Sequence, residues 1–167
     1  MYDELTVSDL KKMQEEIDYR VQVLRPKLIE DVQVARAFGD LSENFEYKAA
    51  KQEKNRNDGR IRYLENMIKT AKVIDEEGVG GGVGLYDKVT VWLEEDEETM
   101  EVRVVTTVRQ DAGRGFISKE SPFGRALLGR QVGERFYVEI DAKNGYYARV
   151  DAIEKESDDG SAPLMKY

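Results

Sequence analysis

Ala35-Arg36-Ala37-Phe38-Gly39-Asp40-Leu41-Ser42-Glu43-Asn44-Phe45-Glu46-Tyr47-Lys48-Ala49-Ala50-Lys51 separates two helical stripes, and its reading decides the fold. Upstream, Leu10, Met13, Ile17, Val21, Leu24, Leu28, Val32 and Ala35 recur at steps of three or four, the pattern of a helix with one apolar side. The stripe predicts a helix from about Ser8 to Phe38, in which Pro26 removes a backbone hydrogen bond and either bends the rod or divides it in two. Downstream, Tyr47, Ala50, Lys54, Asn57 or Asp58, Ile61, Leu64, Ile68 and Ala71 continue the period, polar in the middle and apolar at the far end. Two helices of similar length joined by a few residues return antiparallel. Residues 1–75 therefore read as a coiled-coil hairpin with its tip near 39–44, an arm of about 45 Å at a rise of ~1.5 Å per residue.

The tip has a plain local explanation. Gly39 ends the first helix, Asp40 N-caps the second, and Glu43 at the third position completes a capping box. Yet Asp40, Ser42, Glu43 and Asn44 offer more oxygen ligands than a cap needs. Carboxylates three apart at a helix start lie on nearly the same side, where they can share one cation. Arg36, Lys48 and Lys51 place positive charge beside them, for which the bland alternative is a solvated helix face. Tyr47 is predicted in the seam.

Composition narrows the chemistry further. The 167 residues include neither cysteine nor histidine, which excludes disulfides, thiolate zinc sites, cysteine nucleophiles and histidine-based triads or metal sites. A metal site must use oxygen ligands, as Mg²⁺ or Ca²⁺ prefers. The net charge of −8 argues against coating nucleic acid by bulk electrostatics, so any such contact is local. No stretch approaches the ~20 apolar residues of a membrane span, and the acidic N-terminus has no leader pattern. The reading is of a soluble, cytoplasmic protein.

The acidity lies in the second half, net −7 over 76–167 against −1 over 1–75. Residues 76–84, with four glycines between Gly78 and Gly82, read as a flexible linker. Beyond it, 88–93, 101–105, 135–140 and 146–150 are rich in β-branched and aromatic residues and predict four or five antiparallel strands. Trp92, Phe136 and Tyr137 are most simply core. Ser121-Pro122 before Phe123-Gly124-Arg125-Ala126-Leu127-Leu128-Gly129 gives an N-cap, a first-turn proline and a stopping glycine, hence one short helix. Residues 85–156 form a small α+β domain, and 157–167 reads as a disordered tail.

Two stretches carry a family resemblance. Gly39-Asp40-Leu41-Ser42-Glu43-Asn44 with Glu46-Tyr47, Ala49-Ala50-Lys51, Gly59-Arg60-Ile61 and Leu64-Glu65 resembles the hairpin signature of the bacterial Gre transcript-cleavage factors, closer to the GreA type than to GreB. Ser121-Pro122-Phe123-Gly124-Arg125-Ala126-Leu127-Leu128-Gly129 with Val132-Gly133 is similar to the C-terminal signature of the same family. The resemblance implies an α+β chain in which a coiled-coil hairpin precedes an FKBP-like antiparallel sheet domain with one short helix. It implies an elongation factor, not itself an enzyme. The globular domain docks on RNA polymerase, with Ser121, Pro122, Gly124 and Arg125 in the docking signature, and the hairpin enters the secondary channel.

There the family's acidic pair, falling on Asp40 and Glu43, helps hold a weakly bound Mg²⁺ that the polymerase uses to cut the 3′ end of backtracked RNA. The chain on its own then holds no cofactor. Arg36 and Lys51, with Lys48 nearby, match the family's RNA-contacting basic patch, and Gly39, Ser42, Asn44 and Tyr47 support the tip. No membrane is involved, and the hairpin's polar middle argues for a monomer. Phe45 departs from the pattern, standing where the family commonly has a small residue. The rival readings are a Gre-like inhibitor of the same channel and, from another class, an FKBP-like prolyl isomerase or chaperone.

Overall fold

The computed structural model describes residues 3–39 and 44–166. The chain divides into two compact units, Met1–Val73 and Ile74–Tyr167. No helix among the described residues is long and apolar enough to cross a membrane.

The first unit is built from β1 (Glu4–Leu5), α1 (Val7–Tyr19), α2 (Arg25–Arg36), α3 (Phe45–Thr70) and β2 (Lys72–Val73). At its base the short parallel pair β1–β2 ties the start of α1 to the end of α3. Thr6 starts α1 with a reciprocal cap: its hydroxyl accepts from Asp9 N at 3.2 Å, and the Asp9 carboxylate accepts from Thr6 N at 3.0 Å. Leu5, Met13, Ile17, Ile61, Leu64 and Met67 are buried toward this end, whereas Leu28 and Ala35 are the buried apolar residues of α2. The apolar half of the seam lies at the base, as the stripe predicts.

The first rod is interrupted just ahead of Pro26. Residues Arg20–Leu24 form a π-turn, closed by the Arg25 N–H donating to the Arg20 carbonyl. Pro26 has no N–H for the Gln22 carbonyl, and its ring crowds that carbonyl in an ordinary helix. Widening the preceding turn relieves the crowding and puts Pro26 in the first turn of α2, where the missing donor costs nothing. At the far end α2 stops at Arg36, two residues short of the predicted limit. Ala37 and Phe38 bond back in a tight turn, and Gly39 takes φ +124°.

The second unit carries one sheet in the order β5-β4-β3-β7-β6, from β3 (Lys88–Leu93), β4 (Glu98–Val105), β5 (Phe116–Ser118), β6 (Arg135–Glu139) and β7 (Gly145–Glu154), with the helix α4 (Pro122–Leu127). The sheet is mixed and not wholly antiparallel as predicted. Two 3₁₀ turns, Thr107–Arg109 and Ala112–Arg114, carry the chain round so that β5 lies parallel to β4. Val89, Val91, Val102, Val104, Phe136, Val138, Ala148 and Val150 fill the inner face, against which Leu127 of α4 is fully buried.

Three expectations for this half are corrected. Phe136 is core, but Tyr137 is 43% exposed and Trp92 is only half-buried. The two-residue period that turns Phe136 and Val138 inward turns Tyr137 outward. Tyr137 meets Tyr147 there with ring centroids 5.0 Å apart, and the Arg135 guanidinium sits 3.6 Å from the Tyr147 centroid.

The glycine-rich stretch is no loose linker. Val83 and Leu85 are buried, Val83 exchanges backbone hydrogen bonds with the 129–130 turn, and Leu85 N donates to Glu76 O at 2.6 Å. A Cβ at Gly82 would run into the Gly129 carbonyl, so glycine here permits backbone contact in place of flexibility.

The segment after Ser157 packs onto the unit. Arg109, wholly buried, makes a two-pronged pair with Asp158, Nη1–Oδ2 2.8 Å and Nη2–Oδ1 2.8 Å, and donates from Nε to Ala162 O. Ala162 is buried, and Met165 N bonds to Val108 O. Composition of the tail alone could not reveal a partner lying some fifty residues upstream.

Candidate functional site at the hairpin tip

Asp40, Ser42 and Glu43 lie outside the described residues; the flanks of the tip are described. The cap of α3 is Asn44, not Asp40. Its Oδ1 accepts from Tyr47 N at 3.0 Å, while its Nδ2 donates to Ala35 O at 2.7 Å on α2. One amide therefore starts the second helix and fastens it to the end of the first. The capping role predicted for Asp40 is performed by a residue four positions later, and the helix begins at Phe45.

Next to this clasp, the Arg36 guanidinium lies 5.6 Å from the Tyr47 ring centroid, with Nη2 3.5 Å from the phenol oxygen. Tyr47 is half-buried, consistent with its predicted seam position. The Arg36 hydrogen bond lowers the Tyr47 phenol from its ordinary value; partial burial opposes this and the Lys51 charge adds to it. Arg36, Tyr47 and Lys51 thus form one cationic cluster across α2 and α3. Lys48 stands apart, its ammonium 5.7 Å from the centroid of Phe45. Phe45 (79%) and Phe38 (73%) are the most exposed large apolar side chains among the described residues.

Farther down the hairpin the polar middle is a set of half-buried ion pairs. Glu16 on α1 accepts from Arg20 Nε at 2.8 Å, from Arg60 Nε at 2.8 Å and from Arg60 Nη2 at 3.3 Å. Arg20 also donates to Asn57 Oδ1 at 2.8 Å, and Asp58 joins Arg25 to Lys54. Burial pushes the Glu16 carboxyl up, but the hydrogen bonds and charges of Arg60 and Arg20 outweigh it and leave it below the usual carboxylate range. Arg60, not among the seam residues read from sequence, is 6% exposed. Its place between Asn57 and Leu64 on the seam stripe was the available signal.

In the second unit, the Ser121 hydroxyl caps α4 by accepting from Gly124 N at 3.0 Å and donates to Ser118 O at 2.6 Å. Gly124 is buried against Ser118, where a Cβ would clash with the carbonyl. Ser121 and Gly124 therefore shape the turn, while Pro122 and Arg125 are exposed, the latter paired with Glu120 at 3.1 Å. Among the described residues no group of three or more Asp or Glu side chains is placed to hold a metal.

Both units match family models: residues 4–73 that of the transcription elongation factor N-terminal domain, and 79–155 that of the GreA/GreB C-terminal domain. The chain is 46% identical over 139 residues to transcription elongation factor GreA of Caldanaerobacter subterraneus, covering 83% of this chain and 88% of that one. It is 38% identical over 135 residues to the GreA of Bacillus subtilis, covering 81% and 86%. The crystal structure of the GreA factor homolog 1 (Gfh1) protein of Thermus thermophilus is 27% identical, with a TM-score of 0.42 over 93% of this chain and 100% of that one. With one family model on each unit and close relatives along most of its length, the chain belongs to the GreA/GreB family of transcription elongation factors.

Proposed function

We propose that this elongation factor acts on RNA polymerase through its secondary channel, where the hairpin brings Asp40 and Glu43 to the active centre and stimulates the polymerase's own cleavage of backtracked RNA. The observation that carries this reading is the Asn44 cap. Because an amide closes the first turn of α3, helix capping does not account for an aspartate and a glutamate immediately before it.

Two carboxylates supply hard oxygen donors suited to Mg²⁺ but too few for a cage of their own, so the chemistry fits a metal shared with the polymerase. Such a metal, when held, stabilises charge on the scissile phosphate and activates water. The chain's own residues do the positioning. The Asn44 clasp and the Arg36–Tyr47 contact hold the ends of the two helices together. Arg36 and Lys51, with Lys48 beside them, offer cations to RNA phosphates. Pro122 and Arg125 are the exposed members of the docking signature on the second unit. The chain acts in trans and is not itself the nuclease.

The test is release of RNA fragments from a halted, backtracked elongation complex in Mg²⁺, comparing the native protein with the Asp40→Ala, Glu43→Ala double variant. Fragment release by the native protein alone, with both proteins binding polymerase, supports the reading. Slowed nucleotide addition by both without cleavage makes the protein a channel-occupying inhibitor instead.

A further inference from the structure

We propose that the exposed Phe45 ring, on the outward face of α3 beside the tip, is a stacking platform for the last base of the RNA 3′ end. The inference rests on the cleavage-factor reading above and assigns it a contact of this chain's own.

The seam side of α3 is occupied by Tyr47, Ala50, Lys54, Asn57 and Ile61, none of them fully exposed. At 3.6 residues per turn, Phe45, Lys48, Ala49, Gln52 and Asn55 fall on the opposite side. All five are exposed, and with Lys51 they line one shallow trough of about 490 Å³. Its chemistry is what an unpaired strand needs: an aromatic face, cations spaced along the backbone path, and amides that hydrogen-bond any base edge.

The charge pattern selects the occupant. In a chain of net charge −8, this trough has two ammonium groups and no carboxylate in its lining. The nearby Glu53 is held by Arg56 at 2.7 Å. An acidic protein segment would satisfy the lysines but leave the ring bare. A nucleotide uses both, with phosphate on Lys48 or Lys51 and the base on Phe45. The ring is also well placed, following directly on the Asn44 clasp that joins α3 to α2.

The experiment uses the full-length protein on backtracked elongation complexes whose RNA ends in a purine, an abasic residue or a photoreactive thiopyrimidine. Base–aromatic stacking is worth about 1–3 kcal/mol, so Phe45→Ala is expected to reduce cleavage stimulation on the purine end by about tenfold. Phe45→Trp should retain it, and the abasic end should erase the difference between native protein and Phe45→Ala. Crosslinking of the thiopyrimidine to position 45 is the direct readout.

Cleavage by Phe45→Ala at the native rate overturns the inference. So does an equal loss on purine and abasic ends, which assigns the ring to the polymerase wall. If the native protein crosslinks through position 45 yet stimulates no cleavage, the cleavage reading fails while the RNA contact stands. If it cleaves without that crosslink, the contact fails alone.

Discussion

Glu16 and Arg60, forty-four positions apart in sequence, meet across the hairpin through Nε–Oε2 at 2.8 Å and Nη2–Oε1 at 3.3 Å. The guanidinium is almost fully buried and Glu16 about a quarter exposed, so the pair is a cross-brace and not a surface ornament. Glu16→Gln should destabilise the hairpin by about 2 kcal/mol, the scale of losing hydrogen bonds to a charged group. Thermal unfolding followed by circular dichroism measures it. Replacement of both partners, Glu16→Leu with Arg60→Met, should cost less than Glu16→Gln, because no charge is left behind.

The same carboxylate sets a pH dependence. Its value in the folded chain lies below the ordinary 4.5, so the stability it contributes is complete above that value. That stability is lost as the pH falls through the lowered one. Denaturant midpoints of the native protein and Glu16→Gln should differ at neutral pH and converge under acid. A difference that persists unchanged in acid would show that packing, not charge, is responsible.

Arg36 lowers the Tyr47 phenol, so Arg36→Met should return Tyr47 toward its ordinary value while leaving the helices intact. An NMR pH titration with carbon-labelled tyrosine reads the shift directly. In cleavage assays the same variant should lose stimulation in a salt-dependent manner. Loss that ignores salt would indicate a disturbed seam.

Asn44→Ala removes the bond to Tyr47 N and the tie to Ala35 O together. The expected cost is about 1 kcal/mol for the cap alone. Hydrogen exchange should quicken at the first-turn amides of α3, and stimulated cleavage should fall even though the acidic pair is untouched.

In the second unit, Arg109→Met strands the buried Asp158 carboxylate and should cost about 3–5 kcal/mol. Limited proteolysis should then cut within 157–166 faster than in the native protein, where Arg109 holds Asp158 and Ala162. Unchanged resistance would mean that Ala162 and the Met165–Val108 bond suffice to hold it.

The hairpin was readable from sequence because its apolar positions repeat with the helical period, and the strands were readable because theirs alternate. What escaped were effects that periodicity does not encode. The Asn44 cap competed with an equally good local candidate at Asp40, and the choice between them depends on the Ala35 carbonyl supplied by another helix. Asn57 stood on the predicted stripe but Arg60 did not, because a buried charge is disclosed only by its partner, here Glu16. The glycines of 78–84 signalled freedom, whereas here they allow backbone to lie against backbone at Gly129. Tyr137 was placed in the core by its size; its parity with Phe136 in β6 was the better guide. The acidic pair, Asp40 and Glu43, is read from residue type and family resemblance alone and lies outside the described residues.

The π-turn at Arg20–Leu24 accommodates one residue more than an α-helical turn, and so acts as a phase adjuster in the rod. The wide turn absorbs that residue within the rod, and buried seam positions continue on both sides of it, Met13 and Ile17 before and Leu28 and Ala35 after. The arm thus carries a helix-breaking proline at its middle while the Ala35 carbonyl at its far end still receives the Asn44 amide.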